Sequence, residues 1–248
     1  MKYFVTVLLI GIHISLFAQK KKKASTTTKL PSSIIKPTQG ISGVNPLSES
    51  EIANGLRQAL SVGAKNAATQ LSNVDGFNGN NLIRIPFPPE VSQVSTKLRE
   101  LGFGAKIDEF ETTLNRAAEK AATDAAPIFV NAITQMSITD AKNILTGNNS
   151  AATSYLQSKT SDALMTTFSP TIKNALGSSL ATSKWTEITS IYNRIPFITP
   201  VETDLVKYTT TKALAGLFVV VAQEENKIRE NPTARVTDVL QKVFGSVK

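Results

Sequence analysis

Asn115, Arg116 and Glu119 are the residues best placed to do chemistry. With Glu111 they occupy one stretch of a helical pattern: Glu111, Asn115 and Glu119 recur at four-residue spacing, and Arg116 reaches Glu119 at three. Read functionally, they build a polar pocket whose guanidinium orients a ligand carboxylate or phosphate. Read structurally, they form a hydrogen-bond and ion-pair network that keeps helices in register, the usual role of a buried arginine with a carboxylate. Asp140, in Ser137-Ile138-Thr139-Asp140, is the fourth member of a set that a carboxylate-and-arginine enzyme would need.

Arg84 and Arg194 stand in two echoed segments, each reading Arg-Ile-Pro-Phe. They are candidate ligand clamps. The plainer expectation is a pair of joints, in which proline stops one element, phenylalanine plugs the core and arginine caps exposed carbonyls. Glu225 with Arg229, and Arg235 with Asp238, have the spacing of helical ion pairs and are expected at the surface or at helix ends. The loop Asp75 to Asn81 is rich in oxygen donors. It lacks the EF-hand order of acids, and its twelfth position is Pro86 instead of glutamate, so a turn is expected in place of a calcium site.

Much other chemistry is excluded by composition. There is no cysteine, and the one histidine, His13, lies in a leader-like segment. Without that segment, serine–histidine triads, cysteine–histidine dyads and histidine-bound zinc or iron cannot be assembled. The phosphate-binding patterns G-x-x-x-x-G-K-[ST] and G-x-G-x-x-G and the hydrolase elbow G-x-S-x-G are all missing. No cofactor and no metal is implied.

The leader runs from Lys2 through the apolar stretch Tyr3–Phe17 to the small residue Ala18, the layout of a secretory signal peptide over residues 1–18. That stretch falls short of the ~20 residues a spanning helix needs. Lys20, Lys21, Lys22 and Lys23 follow at once, where positive charge resists translocation. Residues 19–46, with Thr26–Thr28 and scattered prolines and glycines, have the composition of a disordered basic linker. The net charge of +8 belongs to this region. Seven of the 27 lysines and arginines precede Pro46 and all 19 acids follow it, which leaves 20 basic residues against 19 in the rest. A basic nucleic-acid footprint is therefore not expected on the folded part. The lysine run itself could touch an anionic membrane surface.

Residues 47–248 are expected to form one all-helical domain. Ser48 to Glu51 is a capping box, and Ile52, Leu56, Leu60, Ala64, Ala67 and Leu71 then follow at helical spacing. Ile83 to Pro89 reads as an extended joint. Gly102 closes a second helix, and Ile107 to Ala121 form a third. Pro127 begins a fourth, Ser137 caps a fifth that Gly147 ends, and a sixth spans Ala151 to Phe168. Pro170 opens a seventh helix, and an eighth contains Trp185, Ile188, Ile191 and Tyr192. The longest starts at Thr203 or Asp204, with a stretch from Leu214 to Ala222 apolar nearly all round, as in a centrally buried helix. Val236 to Phe244 supply a last short helix. No alternating strand pattern of useful length occurs.

Several of these segments, in this order, resemble the bacterial family known as domain of unknown function 4197. They are Leu47-Ser48-Glu49-Ser50-Glu51-Ile52, Ile83-Arg84-Ile85-Pro86, Leu114-Asn115-Arg116-Ala117-Ala118-Glu119, Ile138-Thr139-Asp140-Ala141, Ile144-Leu145-Thr146-Gly147 with Ala152-Thr153, and Asn231-Pro232-Thr233-Ala234-Arg235. The resemblance covers about residues 47–245. It implies exported helical proteins of the cell envelope, in the periplasm or outside the cell, and carries no activity. The sequence thus points to a non-enzymatic helical binding or structural module of the cell envelope, with an envelope protein, an apolar ligand or wall material as its partner. The alternative is a periplasmic enzyme centred on Asn115, Arg116, Glu119 and Asp140.

Overall fold

A computed structural model describes residues 48–89, 92–177, isolated positions between 182 and 200, and 204–230. The leader of residues 1–18, the linker of 19–46, the final short helix and the Arg235–Asp238 pair lie outside the described residues, as does most of the eighth helix. Among the described residues the fold is all-α, and no strand occurs.

Helix α1 spans Glu49–Ser72. Ser48 and Glu51 close the anticipated capping box: the Glu51 carboxylate accepts the Ser48 amide at 2.8 Å, and the Ser48 hydroxyl accepts the Glu51 amide at 3.2 Å. Its buried stripe is mostly alanine and leucine, from Ala53 to Leu71. Such small side chains let neighbouring helices come close. Helix α2 (Ser92–Leu98) passes into a π-type turn, Arg99–Phe103, in which Gly102 takes φ 88°. Only glycine adopts that conformation without strain, and α3 (Gly104–Ala122) starts directly after it. Helix α4 covers Ala125–Thr134 with Pro127 in its first turn, where the missing N–H has no partner to lose. Helix α5 (Ile138–Thr146) has a second capping box, Ser137 with Asp140.

Two expectations need correcting. Pro170 does not open a new helix but lies inside α6, which runs unbroken over Ala151–Gly177. Proline removes one N–H and crowds the preceding turn. Yet Leu164, Phe168, Ile172 and Leu176 stay in phase across it, all fully buried, and α6 packs along both α3 and the last described helix. Tertiary packing overrides the local break. As a result α6, with 27 residues, exceeds α7 (Leu205–Glu230, 26 residues), which had been expected to be the longest.

Helix α7 begins where Asp204 accepts the amides of Val206 and Lys207 at 2.9 and 3.1 Å. It is long and apolar enough to cross a bilayer. Its apolar side chains are directed inward instead: Ala213, Leu214, Leu217, Phe218, Val220 and Val221 are buried, and α7 lies against α6, α1 and α3. The centrally buried C-terminal helix is thus present. At Gly216 the loop after α1 presses so close that a β-carbon would sit 2.8 Å from the Phe77 ring and 3.1 Å from Ile83.

Candidate functional site

The polar face of α3 is occupied by the protein's own chain. Its partner is the irregular segment between α1 and α2, which approaches α3 without forming a strand. Glu119, at the far end of the face, accepts the backbone amides of Phe77 and Asn78, both at 3.1 Å. One helical turn earlier, Asn115 pairs with Ile85 as a strand would: its oxygen accepts the Ile85 amide and its nitrogen donates to the Ile85 carbonyl, each at 2.8 Å. Glu111, a further turn back, accepts the Phe87 amide at 3.1 Å. The four-residue spacing therefore serves to read successive main-chain groups of the segment. Tyr208 on α7 donates to the Pro86 carbonyl at 3.1 Å from the other side.

Arg116 completes the arrangement. Its guanidinium donates to Glu119 at 2.6 Å and to Asp75 at 2.8 Å, tying the start of the loop to the helix. Asp75 adopts φ 66°, a left-handed conformation that aspartate tolerates better than most residues. A hydrogen bond from Asn78, with a second from Arg116, holds the Asp75 carboxyl below the usual carboxylate range. The Glu119 bond in turn raises Arg116 above its ordinary value. Within the oxygen-rich loop expected to be a turn, the Asp75 carboxylate goes to Arg116 and Asn78, and the Asn80 side chain accepts the Leu82 amide. The outer edge of Arg116, with Glu109, Lys120 and Asn174, lines an open groove of about 490 Å³ between α3 and α6.

The structure thus brings Asn115, Arg116, Glu119 and Arg84 together and leaves the other two apart. Arg84 is bonded to Glu111 at 3.1 Å. Asp140 joins no part of this network; it is the third residue of α5, where its carboxylate accepts the Ser137 amide at 3.0 Å and hydroxyl at 2.7 Å. Arg194 is exposed. The two Arg-Ile-Pro-Phe echoes are not equivalent joints. Ile85 is buried and Phe87 packs with Phe110 and Trp185, ring centroids 5.3 and 5.6 Å away, whereas Phe197 is fully exposed with φ 66° and plugs nothing. The flanks of the two segments differ, and the first is received by the face of α3.

Glu225 and Arg229 form the expected helix-end pair, in the last turns of α7, and they do not lie at the surface. Glu225 is buried and Arg229 half-buried, their side chains 4% and 14% exposed, and they are bonded at 2.8 Å. Glu225 accepts the first amides of α6, Ala152 at 3.0 Å and Thr153 at 2.8 Å, together with the Thr153 hydroxyl. Arg229 donates at 2.9 Å to the Ile144 carbonyl in the last turn of α5. An acid thus sits at a helix N-terminus and a base at a helix C-terminus, each matched to the dipole it meets. A signal was present in the sequence. Glu225 is in phase with the apolar stripe Leu214, Leu217, Phe218, Val221 and Ile228, a position that belongs to the core.

Where α4, the start of α5 and α6 meet, a small pocket of about 200 Å³ is lined by Asn131, Gln135, Asp140, Tyr155 and Lys159 among others. The Ser137 side-chain and backbone bonds hold the Asp140 carboxyl below its usual range. Burial, and secondarily the Asp140 charge, push the Tyr155 hydroxyl up, so it remains a protonated donor at neutral pH. Among the described residues no cluster of acids has the makings of a metal site.

Fold and geometry together define a helical domain whose internal charges fasten loops and helix ends. The chain belongs to the family described as Protein of unknown function (DUF4197), whose profile matches residues 46–245. Comparison with curated proteins and with solved structures gave no match.

Proposed function

We propose that this protein is a non-enzymatic helical binding or structural module of the bacterial cell envelope, exported by its leader into the periplasm or beyond. One observation supports the reading most directly. Glu119, the best-placed acid, is 4% exposed and surrounded by donors: two backbone amides and the Arg116 guanidinium. A general acid or base must come within hydrogen-bond reach of its substrate, and this carboxylate has no side open to one. The alternative, a carboxylate-and-arginine enzyme, would need Asp140 beside Arg116 and Glu119, and Asp140 lies on another helix facing another pocket. Export rests on the signal-like residues 1–18, and contact with anionic lipid would fall to Lys20–Lys23.

The test is native mass spectrometry of protein recovered from the envelope fraction of its own cells. The expected result is a chain that has lost its leader and retains a partner protein or small ligand. A chain still carrying His13 in the cytoplasmic fraction would overturn the localisation. Turnover of any envelope component that Glu119→Gln abolishes while the fold still melts cooperatively would overturn the non-enzymatic reading.

A further inference from the structure

The pocket between α4, α5 and α6 differs from the α3 network in having polar groups left over. Asp140 commits one carboxylate oxygen, Oδ2, to Ser137, and Oδ1 has no partner among the described residues. Asn131 accepts the Gln135 side-chain amide at 3.2 Å, and the Asn131 Nδ2 and Gln135 Oε1 bond to no described residue. The Tyr155 hydroxyl donates to no described residue. Lys159 forms no ion pair among the described residues; its ammonium lies 5.9 Å from the centroid of the Tyr155 ring, over its face. Asn131, Gln135 and Lys159 face solvent. Asp140 and Lys159 therefore carry opposite charges beside one small space without closing on each other, although surface pairs such as Lys106–Glu109 and Lys142–Glu49 do close.

We propose that this pocket binds a compact zwitterion, an α-amino acid, with its ammonium on Asp140 and its carboxylate on Lys159. The Tyr155 hydroxyl and the Asn131 amide add neutral donors to the same lining, and the Gln135 oxygen adds an acceptor. The size agrees: about 200 Å³ is below the range typical of drug-sized ligands and suits a metabolite of few atoms. Ile128, Ala132 and Ala163, also in the lining, give a short apolar side chain somewhere to rest. Two charges of opposite sign in the lining of one pocket select for a ligand carrying both and against a ligand carrying either alone. The Ser137 bonds hold the Asp140 carboxyl below its usual range, so the carboxylate is ionised at neutral pH. The rim is partly solvated, so the affinity is modest, in the millimolar range.

The inference rests on the reading of the protein as a binder. The experiment is a titration of the purified protein, followed by two-dimensional amide NMR, with glycine and L-alanine as probes and with acetate and methylamine as half-ligands. The expected result is saturable shifts clustered at Asn131, Gln135, Asp140 and Tyr155 with the amino acids, and none at matched concentration with either half. Lys159→Met and Tyr155→Phe, neither of which disturbs the Ser137 capping box, should each weaken binding by about tenfold with an unchanged melting temperature. No saturable shift, equal shifts from acetate alone, or unaltered binding in Lys159→Met would each overturn the site. New ligand signals growing with time in one-dimensional proton spectra of the same samples would sink the binder reading instead, so the two failures are told apart.

Discussion

Replacing Glu119 by alanine is the most direct challenge to the account of the α3 network. The side chain is 5% exposed and accepts two main-chain amides at 3.1 Å, that of Phe77 being buried. Removing it strands those amides, each at a cost of about 1–3 kcal/mol for a desolvated donor left unmet. Arg116 loses its 2.6 Å contact but keeps Asp75. The expected loss is about 3–5 kcal/mol. For a domain of this size that corresponds to a melting temperature lower by roughly 6–20 °C. Glu119→Gln retains one acceptor oxygen and places an amide NH₂ against another donor, so about 2 kcal/mol should go. Urea unfolding followed by far-ultraviolet circular dichroism gives both numbers. Hydrogen exchange supplies a local check, since the Phe77 and Asn78 amides should lose protection beyond the global decrease. If Glu119→Ala stays within about 1 kcal/mol of the parent, or those two amides exchange as before, the carboxylate does not hold the loop and the reasoning fails.

Glu225→Ala should cost about 3–5 kcal/mol, because it leaves the half-buried Arg229 without its carboxylate; in Glu225→Met/Arg229→Met the penalty should be smaller than the sum of the single changes, measured by the same urea curves. Gly216→Ala should destabilise by about 1–3 kcal/mol despite alanine's better helix propensity, since the new methyl meets the Phe77 ring at 2.8 Å; a raised melting temperature in calorimetry would show that the loop yields. Asp140 titrates below its ordinary value in the folded state, so the capping box contributes stability above about pH 4 and loses it as pH falls through the lowered folded value. Urea curves of Asp140→Asn should accordingly fall short of the parent at neutral pH and converge with it in strong acid.

Helix periodicity made most of the fold legible. The two capping boxes at Ser48 and Ser137, the Gly102 break and the buried stripe of α7 follow from short-range rules, which act within a turn or two and leave their mark in neighbouring residues. Pro170 misled because its local effect is real but smaller than the combined packing of Phe168, Ile172 and Leu176 against two other helices. The α3 face was recognisable as a unit, and its partner was not. Glu111, Asn115 and Glu119 bond to main-chain amides 24 to 42 residues away, and every residue except proline offers the same amide, so these bonds leave no mark in the loop sequence. Arg84 and Arg194 look alike because four letters repeat, and both are exposed; the segments differ at the phenylalanine, since Phe87 packs on Phe110 and Trp185 while Phe197 is exposed. Glu225 was visible only as a charge in phase with an apolar stripe; its partners at the start of α6 lie 72 and 73 residues earlier.

The grip of α3 on the segment after α1 falls largely on its main chain, with side-chain contacts from Asp75, Arg84 and Phe87. The other loop side chains can therefore drift in identity without loosening the hold, provided Phe77 still meets the bare surface of Gly216. One substitution is forbidden at four places: proline at 77, 78, 85 or 87 would delete the very hydrogen that a carboxylate or amide on α3 grasps. Variation among related chains should accordingly be broad in the loop, narrow on the three helix positions, and barred to a single residue type at those four sites.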